Sequence, residues 1–85
     1  MTYLNKLIRR NEVLDKIGRS KSSLQLDEKA GLFCPPISIG ERAVAYIQTE
    51  VDTVIQARIE GQTQEQIKAL IQELIKQRTH DNKGA

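Results

Sequence analysis

Residues 7–51 read LIRRNEVLDKIGRSKSSLQLDEKAGLFCPPISIGERAVAYIQTEV, and their punctuation decides the fold. Val13, Leu14 and Ile17 fall on one face of a first helix that starts at Arg10 or Asn11. Gly18 closes it, as glycine does where a helix turns left-handed. Ser20 supplies an N-cap for a second helix, whose clearest inward residue is Leu24. Gly31 ends that helix, and Phe33, the only phenylalanine in the chain, plugs the core behind the turn. Pro35-Pro36 forces an extended crossing. Ile37-Ser38-Ile39 then alternates as a strand does, Gly40-Glu41-Arg42 turns, and Val44-Ala45-Tyr46-Ile47 returns. Helix, turn, helix and hairpin, in that order, are what a chain needs to put one helix in a DNA groove and a wing beside it.

The flanks follow the same rules. Lys6-Leu7-Ile8 fits a short strand covering the wing, and residues 1–5 read as a tail. A third helix is expected with Thr49 as its N-cap and acids in its first turn. Its apolar stripe is Val51, Val54, Ile55 and Ile59, and Gly61 ends it. Thr63 and Gln66 make a capping box for a fourth helix. There Ile67, Leu70, Ile71, Leu74 and Ile75 recur at helical spacing to about Arg78, with residues 79–85 as a frayed tail. The expected core is Leu7, Val13, Leu14, Ile17, Leu24, Phe33, Ile39, Val44, Val51, Val54 and Ile55.

The reading is therefore a mostly α protein with a small β-hairpin, a winged helix-turn-helix over residues 1–60. A C-terminal amphipathic helix at 61–78 and a tail at 79–85 complete it. Eighty-five residues make a marginal core, so self-association would help. The fourth-helix stripe Ile67, Leu70, Ile71, Leu74 and Ile75 is either a lid on the third helix or a dimer seam. The seam is favoured because helix-turn-helix proteins often bind DNA in pairs.

Charge supports a nucleic-acid partner locally. Net charge is only +2, yet residues 1–46 hold eight Lys/Arg against five acids, while residues 47–85 hold five against six. Lys21, Ser22, Gln25 and Lys29 share the outer face of the second helix, with Ser23 beside them. Gln reads adenine, Lys reaches guanine or phosphate, and Ser reaches either; the bland alternative is a solvated polar face. Arg9 and Arg10 at the start of the first helix, Arg19 in the turn and Arg42 at the wing tip are candidate backbone contacts, or ordinary surface arginines. Asp27 and Glu28 would repel phosphate if they faced it. Other classes find little support. Cys34 is the only cysteine and His80 the only histidine, so an intrachain disulfide and a Cys-based metal cluster are excluded. No catalytic constellation is present, and neither cofactor nor metal is expected. No apolar run is long enough to span a membrane, and the N-terminus lacks a secretory apolar core, so a cytoplasmic protein is expected.

Lys6 to Ile59 resembles the AlpA-like family of prophage regulatory proteins, relatives of phage excisionases with a MerR-like winged helix-turn-helix. Leu7-Ile8-Arg9-Arg10, Glu12-Val13-Leu14, Gly18, Ser20, Ser22, Leu24 and Gly31-Leu32-Phe33 carry the resemblance. It continues in Pro35-Pro36, Ile37-Ser38-Ile39-Gly40, Arg42-Ala43-Val44-Ala45 and Glu50-Val51. The chain departs from the family at Gln25-Leu26-Asp27-Glu28, where members carry Tyr or His and then basic residues. It departs again at Cys34, where proline is common. The resemblance implies a regulator that binds double-stranded DNA and acts on promoters or attachment sites of a prophage or genomic island. The competing reading, motivated by Asp27 and Glu28, is a protein-interaction module that keeps the fold without binding DNA tightly, with the fourth helix or the Leu26 surface meeting a recombinase or another regulator.

Overall fold

The backbone from residue 6 to 83, with side chains to residue 78, is described by a computed structural model. Its elements are β1 (Leu7–Arg9), α1 (Arg10–Ile17), α2 (Lys21–Ala30), β2 (Ile37–Ser38), β3 (Val44–Ile47), α3 (Gln48–Ile59) and α4 (Gln64–Lys83). The expected tail at residues 1–5 lies outside the described residues.

The three strands form one antiparallel sheet in the order β1-β3-β2. Leu7 pairs with Ile47 and Arg9 with Ala45 on one side, and Ile37 pairs with Ala45 on the other. The wing's return strand is thus the central one, and Ala45, Tyr46 and Ile47 are all buried. Successive strand side chains point to opposite faces, so both faces of β3 are covered. The same alternation corrects one expected core residue. Ile8 points inward at 1% exposure and Leu7 outward at 47%. Ile39 lies past the end of β2 and is also exposed, whereas Val44 is half-buried.

The helix ends are made as their residues dictate. Ser20 Oγ accepts the Ser23 N–H at 3.2 Å. Gly31 and Gly61 sit at φ 77° and 80°, a left-handed conformation that favours glycine. Each closes its helix with paired backbone bonds: Leu32 N–H to Asp27 O with Gly31 N–H to Glu28 O, and Gln62 N–H to Ala57 O with Gly61 N–H to Arg58 O. That pairing satisfies carbonyls the helix would otherwise leave open. Thr63 and Gln66 exchange reciprocal bonds, Thr63 N–H to Gln66 Oε1 at 2.9 Å and Gln66 N–H to Thr63 Oγ1 at 3.2 Å.

Thr49 does not cap α3. The strand runs straight into the helix, Ile47 holds the cap position, and the first helical N–H, from Gln48, donates to Lys6 O at 2.8 Å. The neighbouring β1 segment does the work expected of a side chain. The buried face of α3 is also rotated from expectation, to Glu50, Val51, Val54 and Ala57; Ile55 is half-buried and Ile59 is 72% exposed.

The fourth helix reaches Lys83, beyond the expected end at Arg78, because Thr79-His80-Asp81-Asn82-Lys83 holds no glycine or proline to stop it. Its stripe is used within the chain. Ile67 and Ile71 are buried in one cluster with Val51, Val54, Ala57, Phe33 and Leu24, and Leu70, Leu74 and Ile75 pack against it. Of the two roles expected of these five, the lid on the third helix is the one this chain makes within itself, and Leu70, Leu74 and Ile75 keep part of their surface exposed. The reason is that each buried aliphatic contributes roughly 1.5–3 kcal/mol, and α3 offers an apolar face within reach.

A charged clamp fixes that lid. Glu50, 5% exposed, accepts two bonds from Arg78, from Nε at 2.7 Å and Nη2 at 2.5 Å. Nη2 also donates to Pro35 O at 2.6 Å. Removing the arginine leaves a buried carboxylate unpaired, which costs about 3–5 kcal/mol. Arg78→Ala is expected to lose that much in urea unfolding, and Glu50→Ala with Arg78→Ala together to lose less than the sum.

Beside the clamp, burial first and the Glu50 carboxylate second push the Cys34 thiol from its ordinary 9.0 up to about 12. The folded state therefore favours the neutral thiol. The stabilisation is complete below about pH 9 and is lost as pH rises toward 12. Thermal melts should fall more steeply from pH 8 to pH 11 than those of Cys34→Ala.

Candidate nucleic-acid interface

The outer face of α2 is polar and unengaged. Lys21, Ser22, Gln25 and Lys29 are all exposed, because Leu24, fully buried, anchors the opposite face. Among the described residues Lys21 and Lys29 have no ion pair. Leu26 lies on the same side at 67% exposure.

Both acids of the helix have partners within the chain, although Glu28 still borders that face. Asp27 meets Arg19 at 3.2 Å and Arg58 at 3.7 Å, with its own side chain 13% exposed. Glu28 accepts the hydroxyl of Tyr46, a side chain with no solvent exposure. Burial first, then the bond to Glu28, pushes the Tyr46 phenol from 10.0 up to about 12, so it stays a donor at neutral pH. Arg10 Nε donates to the same hydroxyl at 3.4 Å. One tyrosine of the central strand thus ties the start of α1 to the middle of α2.

Near that junction Arg9, Arg10, Asn11 and Arg42 line an open depression with Val44, about 450 Å³ in volume. Strand β1 brings Arg9 there opposite Ala45, and the wing turn brings Arg42. Among the described residues Arg9 and Arg42 have no carboxylate partner. Three guanidiniums around one hollow, with no acid among its lining residues, make a positive field that an anion such as phosphate would neutralise.

The sequence-derived candidates therefore divide. Lys21, Ser22, Gln25, Lys29 and Arg42 stand outward and unengaged. Arg10 is bonded to Tyr46, Arg19 is held by Asp27, and Ser23 is drawn into the cap of α2, where its hydroxyl accepts from Ser20 Oγ at 3.1 Å. Arg9 and Arg10, expected together as backbone contacts, meet Arg42 and Asn11 in the arginine hollow; the strand register that gathers them has no local sequence signal. Among the described residues no group of His, Cys, Asp or Glu could hold a metal ion, and no helix is long and apolar enough to cross a membrane.

Two helices around the tight turn at Gly18-Arg19-Ser20, followed by a hairpin stacked on a third strand, define a winged helix-turn-helix. Residues 6–59 match the family model described as prophage CP4-57 regulatory protein (AlpA), and the chain belongs to that family of prophage regulatory proteins. No curated protein and no solved structure matches the chain. Helix α4 lies beyond the matched residues.

Tyr46→Phe removes one donor from Glu28 and one acceptor from Arg10. A hydrogen bond to a charged group contributes about 2 kcal/mol, and the variant should lose that much in chemical denaturation while keeping its helical circular dichroism.

Proposed function

We propose that this chain is a sequence-specific regulator that binds double-stranded DNA with α2 in the major groove and the wing at its flank. In this reading it acts in the cytoplasm on promoters or attachment sites of a prophage or genomic island. Control of integrase expression or of excision is its output. The observation that carries the reading is the sorting of charge about α2. Asp27 and Glu28 have partners within the chain, while among the described residues Lys21, Gln25 and Lys29 face out unpaired and Arg9, Arg10 and Arg42 gather around one hollow. Gln25 and Lys21 are assigned to base edges and the arginines to the phosphate backbone, which sets register without reading sequence.

Pairing of two copies on neighbouring half-sites belongs to this reading, through a surface other than Ile67 and Ile71. So does contact with a recombinase. The alternative, an interaction module without tight DNA binding, drew on Asp27 and Glu28 facing outward, and both carboxylates have partners within the chain.

Fluorescence anisotropy with DNA from upstream of the gene and from the ends of its host element, against random duplex, tests the reading. With about four phosphates contacted, affinity should fall on the order of a hundred-fold between 50 and 200 mM salt. Lys21→Ala and Gln25→Ala should each cost about five-fold or more on the preferred site and little on random duplex. Arg9→Ala and Arg42→Ala should weaken all duplexes alike and lower the salt slope by about one. Equal affinity for every duplex, or intact selectivity in both α2 variants, would overturn the assignment.

A further inference from the structure

We infer that Leu26 reads the 5-methyl group of a thymine in the major groove; this rests on the DNA-binding reading above. Leu26 is the only large apolar side chain on the outer face of α2 and is 67% exposed. At 3.6 residues per turn it lies about 40° around the helix from Ser22 and about 60° from Lys29. Ser22, Gln25, Leu26 and Lys29 line one open surface hollow together with Glu28. Leucine is not needed there to hold the helix. Leu24 supplies the buried anchor, and Lys, Gln or Glu would serve helix propensity as well.

Among the polar groups that the DNA-binding reading turns to a duplex, Leu26 is the one side chain able to gain by burying apolar surface there. The edges of base pairs in the major groove offer an apolar group for it, the thymine methyl. Gln25, the preceding residue, has the geometry to pair with adenine. The preferred site should therefore hold a thymine close to the base that Gln25 contacts. Of the two acids that follow in sequence, Asp27 is held by Arg19 and Arg58, and Glu28, at the border of the hollow, has its carboxylate engaged by Tyr46.

The experiment begins with selection from randomised duplexes by the full chain. Each thymine of the selected site is then replaced singly by deoxyuridine, which lacks only the methyl, and affinity is measured for the native protein and for Leu26→Ala. Alanine favours the helix and the position is exposed, so the variant should fold. One deoxyuridine is expected to weaken the native protein about four-fold, the worth of one buried methyl group. Leu26→Ala should bind the unmodified site about four-fold more weakly and be indifferent to that replacement. A selected site at which no replacement matters, or at which both proteins respond equally, overturns the inference and leaves DNA binding standing; Leu26 would then face a protein. Failure to select any site removes the DNA-binding reading, and this inference with it.

Discussion

The hydroxyl of Tyr46 is the constraint around which the binding face is arranged. A phenol with no exposure to water must find a partner inside the protein, and here the partner is Glu28. That bond engages one of the two carboxylates of α2 from the sheet, and Arg10 closes the other side of the same oxygen. The ring packs edge-on against Phe33, with centroids 6.0 Å apart. The central strand, the two helices of the helix-turn-helix and the residue behind their turn are thus held by one side chain.

Asp27 performs a matching task at the other edge of α2. It is shared by Arg19, in the turn, and Arg58, near the end of α3, while Arg58 also donates to Leu32 O at 2.8 Å. Partly exposed pairs of this kind contribute about 0–1 kcal/mol each, too little to explain why the fold holds. Their value lies in geometry. They set the angle of the turn against α3 and remove a negative charge from a helix whose outer face is basic. A protein of net charge +2 can in this way present a local field far more positive than its total.

Much of the fold was legible because its signals are local. Ser20, Gly31, Gly61 and the Thr63–Gln66 box act on atoms within four residues, and each does what its chemistry requires. The errors fall where a distant partner decides. Strand parity at Leu7 and Ile8 depends on which face of β3 the helices cover. Thr49 was displaced as a cap by Lys6, a backbone carbonyl from another element. Glu50 reads locally as a first-turn acid, but Arg78, twenty-eight residues away, makes it a buried ion. At the binding face the same division holds. The spacing of Lys21, Ser22, Gln25 and Lys29 was readable, whereas the partners that engage Asp27 and Glu28 and the gathering of Arg9 with Arg42 depend on contacts across the fold.

The family-matched residues end at Ile59, yet the apolar surface they build at Val51, Val54 and Ala57 is closed by Ile67 and Ile71 from the helix that follows. The shared module and its cover are consequently coupled in composition. A relative that lacked the fourth helix would have to exchange these three positions for polar residues and release Glu50 to solvent, or else borrow an aliphatic ridge and a guanidinium from another chain. Reading what stands at the equivalents of Glu50, Val54 and Ala57 therefore distinguishes self-sufficient members of such a family from those that require a companion to fold.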